Sequence, residues 1–153
     1  MASEKTLIIL VLALFALAAI VLVVALVVVA LVSGVTPTSS GVSETQSRNY
    51  WAAASPLSVT GWKYSGTTLY LTLQNTDSQN ITLTGVHISG SSVFSANTTF
   101  SPGESRTITA SMGSTCGGSG SAFELSSISF TYDKGSITGL TQMGDKPIIG
   151  KCS

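Results

Sequence analysis

The stretch from Thr6 to Val32 reads TLIILVLALFALAAIVLVVALVVVALV, with no charge, no Pro and no Gly. No other part of the sequence restricts the fold as strongly. As a helix rising about 1.5 Å per residue it would reach roughly 40 Å, and a bilayer core needs only about 30 Å. A helix that is apolar on every face must be surrounded by lipid or by other helices. A cleavable signal peptide is the competing reading, with an apolar run of about 7–15 residues after a basic start. Here the run is longer and Lys5 is the only basic side chain before it, although Ala30 and Ser33 offer small residues near its end. The expectation is a retained helix over residues 1–33 and a single membrane crossing.

The rest of the chain has to be read as what this segment anchors. Charged residues make up 9% of the sequence and the formal net charge is zero. Nucleic-acid binding rests on Lys and Arg neutralising phosphates, so that class is set aside. Lys5 and the amino terminus favour an inside start. Cys116 and Cys152 both lie beyond the apolar segment. A pair so placed reads either as a disulfide in an oxidising space or as two buried thiols, and the disulfide is preferred. Two sequons, Asn80-Ile81-Thr82 and Asn97-Thr98-Thr99, point the same way. Each is a short, common motif, but with the Cys pair they place the C-terminal part outside.

Residues 34–55 read as a hinge followed by a short helix. Ser33, Gly34 and Pro37 stand in a run of breakers and small polar residues, and the residue before Pro37 is biased away from helix. Ser43-Glu44-Thr45-Gln46 has the spacing of a capping box, and Glu44 stands four residues before Arg48 in the favourable order. The spacing predicts a helix from about Glu44 to Ala54, with Tyr50, Trp51 and Ala54 docking it onto the next domain. An interfacial aromatic pair or a plain loop is the alternative.

From Pro56 the hydrophobic period becomes two. Leu69, Leu71 and Leu73 alternate with Tyr70, Thr72 and Gln74 in the clearest strand pattern of the chain. Similar patterns surround Leu57 and Val59, Ile81 and Leu83, and Ile108 to Met112. One long strand is predicted from Phe123 to Tyr132, with its alternation slipping at Ser126-Ser127. Gly85 marks a bulge, and Ser101-Pro102-Gly103-Glu104 a turn. Short strands with polar turns predict an all-β, Ig-like sandwich over residues 56–153. The fold class expected is therefore α+β: a long hydrophobic N-terminal helix, then that sandwich.

Catalytic chemistry finds little material. His87 is the only His and has no acidic or nucleophilic companion in sequence. One His and two Cys cannot close a zinc site without carboxylates. The acids, Glu4, Glu44, Asp77, Glu104, Glu124, Asp133 and Asp145, are scattered and form no EF-hand loop. Gly117-Gly118-Ser119-Gly120 lacks the Lys-Ser or Lys-Thr of a P-loop. The sequence predicts neither an enzyme nor a cofactor.

A fully apolar N-terminal segment followed by a small Thr-rich β domain resembles an archaeal type IV pilin or archaellin. Local similarity is carried by Asn49-Tyr50-Trp51-Ala52-Ala53-Ala54-Ser55-Pro56-Leu57, by Leu69 to Asn75, by Pro102-Gly103-Glu104-Ser105, and by Gly144-Asp145-Lys146-Pro147-Ile148-Ile149-Gly150-Lys151-Cys152. The basic leader that such pilins carry before the helix does not precede Met1, so the expectation is either a processed chain or an uncleaved anchor. Glu4 stands near the place where bacterial-type pilins carry an acidic residue. The resemblance implies a homo-oligomeric helical filament at the cell surface, held in the membrane before assembly, coated by surface glycans and serving adhesion or motility. Ala13, Ala16, Ala18, Ala19, Ala25 and Ala30 would then be the small contact points between helices. A monomeric, single-pass surface protein whose β domain binds a ligand is the alternative. A membrane-anchored carrier of metal or electrons is a third reading, which the single His disfavours.

Overall fold

In the computed structural model the described residues are 41–153, and all of them fall in one compact unit. The expected helix over residues 1–33, its Ala13, Ala16, Ala18, Ala19, Ala25 and Ala30 contacts, and the Ser33, Gly34 and Pro37 hinge lie outside the described residues.

The first element is helix α1, Glu44–Ala52. Its capping box forms in both directions: the Gln46 amide donates to Ser43 Oγ, and the Ser43 amide donates to Gln46 Oε1. Arg48 donates to Glu44 at 2.8 and 3.0 Å one turn away. Ten strands follow: β1 Leu57–Ser65, β2 Thr68–Asn75, β3 Ile81–Ile88, β4 Ser91–Phe94, β5 Thr98–Phe100, β6 Ser105–Ser111, β7 Ala122–Leu125, β8 Ile128–Lys134, β9 Ile137–Met143 and β10 Ile148–Lys151.

The strands make a sandwich-like arrangement. One sheet has the order β1-β2-β6. The other runs β4-β3-β8-β9, with β5 paired to the first half of β3 on the same edge as β4. A separate antiparallel pair, β7 and β10, completes the set. The strands pack because alternate positions are apolar and point inward. Leu69, Leu71 and Leu73 of β2 are fully buried, as are Ile81, Leu83 and Val86 of β3 and Phe130 of β8. Trp51 of α1 joins the same core.

Two expectations need correction. Over the described residues 41–153 the class is mainly β, with one short helix, and not the expected α+β of a long hydrophobic helix ahead of an Ig-like sandwich. Among the described residues the only α-helix is the nine-residue α1, and none is long and apolar enough to cross a membrane. Beyond Gly41 the apolar positions mostly alternate, which favours strand over an all-round apolar helix. The strands, moreover, divide among three sheets rather than the two of an Ig-like sandwich. The cause is a break in the long strand expected from Phe123 to Tyr132. Ser127 has φ of 51° there, in the left-handed region. The chain leaves β7, paired with β10, and re-enters as β8 in the larger sheet. The slip in alternation at Ser126-Ser127 is the trace of that change of sheet.

Candidate functional site

Helix α1 grips the segment that leads into the C-terminus. Ser47, fully buried, donates from Oγ to the Pro147 carbonyl at 2.6 Å and accepts from the Ile149 amide at 3.3 Å. Trp51 donates from Nε1 to the Lys146 carbonyl at 3.1 Å. The Tyr50 hydroxyl accepts from the Asp145 amide at 2.8 Å. The Trp51 ring lies edge-on to Tyr50 and to Phe130. It also lies so close to Gly144 that a Cβ there would sit 2.1 Å from the ring. Gly144 thus permits the close approach of backbone to indole. Gly150 plays the same part beneath Phe123, which a Cβ would meet at 2.9 Å. Two of the segments that carried the pilin resemblance, Asn49–Leu57 and Gly144–Cys152, are therefore partners in space.

The C-terminus is held a second time. Cys116 and Cys152 form a disulfide. The glycine-rich loop after β6 is thereby stapled to the end of β10. Cys152 also forms an isolated parallel bridge with Tyr64, and the Ser153 amide donates to the Tyr64 carbonyl. Tyr64 in turn donates through its hydroxyl to the Ser114 carbonyl. A loop whose composition alone would leave it loose is fixed at both ends by bonds to β1 and β10.

At the other end of the sandwich, Asn75 is a buried hub. Its Nδ2 donates to the carbonyls of Gln79 and Phe100, and its Oδ1 accepts from the Asp77 amide. Its own backbone bonds Glu104 and Gly103. Asn75 thus holds the β2–β3 loop and the end of β5 through its side chain, and the turn before β6 through its backbone. In that turn, Pro102 and Gly103 take the inner positions, with Gly103 at φ of 75°. Lys134 pairs with Asp77 at 2.6 Å, and this hydrogen bond chiefly holds the Asp77 carboxyl below its ordinary value. The Ser101 amide, assisted by Arg106, does the same for Glu104.

Asn80 and Asn97 are both exposed, each in a loop directly before a strand. Those strands, β3 and β5, are neighbours, and the hydroxyls of Thr82 and Thr99 hydrogen-bond across them at 3.0 Å. These are the third residues of the two sequons. A similar pair, Thr72 and Thr107, spans β2 and β6 at 2.9 Å. Cross-strand Thr pairs of this kind contribute about 0.2–1 kcal/mol each. The two larger sheets therefore present Thr hydroxyls on their outer sides.

His87 lies on β3 in register with Ser92 and Ser129 and adjoins no carboxylate in that register. Among the described residues, no three His, Cys, Asp or Glu side chains gather to hold a metal ion. Residue types alone did not single out Ser47, Asn75 or Gly144. The only sequence signals available were a turn-forming Asn at the end of β2 and a Gly following the apolar–polar alternation of β9. The fold is thus a β-sandwich-like domain clasped by a short helix and one disulfide. No protein-family model matches the chain, and no curated protein matches it.

Proposed function

We propose that this chain is a non-catalytic structural subunit of an extracellular filament of the type IV pilin or archaellin kind. It would be held at the membrane before assembly and would then associate with further copies of itself. The observation that carries the reading is the joining, in one chain, of the uncharged segment Thr6–Val32 to a hydroxyl-faced, disulfide-closed β domain. An apolar segment of that length has to be buried in lipid or against its own kind. Lipid is as apolar as Leu, so association between such segments depends on close packing, for which Ala13, Ala16, Ala18, Ala19, Ala25 and Ala30 supply small contacts.

Support from the β domain is of another kind. The disulfide suits an oxidising exterior. The exposed Asn80 and Asn97 suit surface glycans. The double attachment of residues 144–153, by α1 and by the disulfide, suits a domain exposed to the medium, and no cofactor is needed for such a role. Whether the filament serves adhesion or motility depends on its outer surface.

The test is electron microscopy of material sheared from the cell surface, with the chain identified by mass spectrometry. Thin filaments containing this chain are the expected result. Recovery of the chain only in washed membranes would overturn the reading in favour of a monomeric, membrane-anchored binding domain.

A further inference from the structure

We propose that the two sequons are N-linked oligosaccharide acceptors of different timing: Asn97 accepts sugar on the folded domain, whereas Asn80 accepts it only before β3 is zipped into its sheet. The inference rests on the reading that this domain is exported.

The argument starts from what a transferase must hold. It needs the Asn side chain and the hydroxyl two residues on, in one extended or turned tripeptide free of other partners. Around Asn97 the fold yields easily. Residues 95–97 form an exposed gap between β4 and β5. Among the described residues Thr98 and Thr99 pair with Leu83 and Thr82 on one side only, and no strand pairs with their other edge. β5 is three residues long, and its core anchor, Phe100, lies beyond the tripeptide. Lifting Thr98 and Thr99 breaks two register pairs and the Thr82–Thr99 hydroxyl bond, while Phe100 stays in place.

Around Asn80 the fold resists. Ile81, the middle residue of the sequon, is fully buried in the core. β3 is an interior strand: Ile81 pairs with Phe100 on one side and Lys134 on the other, and Thr82 with Thr99 and Asp133. The loop before Asn80 is also tied, because Asn75 Nδ2 holds the Gln79 carbonyl and Asp77 Oδ1 accepts from the Gln79 amide. Presenting Asn80-Ile81-Thr82 to an enzyme means extracting a core isoleucine and unzipping β3 from both neighbours. Exposure of the Asn itself is therefore a poor guide to its reactivity, and the state of the following two residues decides.

The donor is a lipid-linked oligosaccharide phosphate. The Asn amide nitrogen bonds to C1 of the first sugar as the C1–O bond to phosphate breaks. The electron pair leaves with the lipid phosphate, and one amide proton passes to a base of the transferase. No oxidant or reductant is involved.

The test uses the full chain, folded and oxidised in mild detergent, with a purified oligosaccharyltransferase and a lipid-linked oligosaccharide donor. Two synthetic peptides spanning residues 76–86 and 93–103 serve as unfolded acceptors. Glycopeptides are quantified by mass spectrometry. Both peptides should be modified, and the folded chain should show a preference for Asn97 over Asn80 of at least about tenfold, since burial of a single core side chain exceeds one decade in rate. Modification of Asn80 in the folded chain as fast as in its peptide overturns the proposal. So does failure of Asn97 in the folded chain when its peptide reacts. Failure of either peptide removes that sequon as an acceptor and with it the pairing proposed. Export is tested separately by protease cleavage of the β domain in intact cells, a result independent of either sequon.

Discussion

Replacing Gly144 with Ala puts a methyl group where the Trp51 ring already lies. The added Cβ would fall 2.1 Å from Cη2 and 2.3 Å from Cζ2, far inside ordinary contact. Gly144 does not have the positive φ that would favour Gly over Ala, so the substitution tests packing rather than backbone strain. Overpacking of this severity belongs at the upper end of the usual 1–3 kcal/mol, and about 3 kcal/mol of destabilisation is expected. Trp51→Phe alone removes the atoms that would clash. It also loses the bond to the Lys146 carbonyl and leaves a void, which together cost about 2–3 kcal/mol. The two changes should compensate: Ala at 144 partly fills the space that Phe at 51 leaves. The double variant is therefore expected to be more stable than the sum of the single effects allows, by at least about 1 kcal/mol. The assay is urea unfolding of the full chain in mild detergent, followed by β-sheet circular dichroism for all four members of the cycle. Additivity within about 0.5 kcal/mol would refute the argument that Gly144 exists to admit this indole.

Three further outcomes are expected. Cys116→Ser with Cys152→Ser opens a loop of sequence separation 36, and the chain-entropy relation gives a loss of about 4 kcal/mol, read as a lower urea midpoint than that of the oxidised parent; an unchanged midpoint would mean that the bonds of Ser153 and Tyr64 hold the terminus unaided. Asp77 and Glu104 are both depressed in the folded state, so their contributions are fully present above their ordinary values of 3.8 and 4.5 and are lost as pH falls through the lower folded values. Stability should fall as pH drops below about 4.5, and Asp77→Asn should flatten that fall; a parallel curve for the variant would show that the Lys134 pair contributes nothing. Ala18→Phe or Ala25→Phe should reduce filament yield in the sheared fraction while leaving the β-domain unfolding midpoint unchanged, and normal filaments would count against packing through those alanines.

Much of the local structure was legible from the sequence, for reasons visible in particular residues. Ser43 and Gln46 specify a helix start within four residues, because each side chain satisfies the other's amide. Leu69, Leu71 and Leu73 specify a strand with one buried face, because a one-residue slip would expose all three. The candidate acceptors Asn80 and Asn97 were equally legible as motifs, and the structure places both in exposed loops. Their difference was not legible. It depends on β3 lying inside its sheet and β5 at the edge, and a tripeptide carries no record of its neighbours. The role of Asn75 was hidden likewise, since its partners Phe100 and Glu104 lie far along the chain.

The sequence by itself determined the uncharged segment Thr6–Val32, the change to a period of two after Pro56, the capping box, and the presence of two Cys able to pair. Each follows from residues close in sequence or from residue type. The tertiary structure alone decided that β7 and β8 enter different sheets, that α1 closes on Gly144–Ile149, and that Cys116 and Cys152 are joined. Those outcomes are contacts between distant residues, selected by which faces can be buried together. Hydrophobic burial is non-directional, so alternation shows that a face will be covered and leaves its partner to the packing of the whole domain.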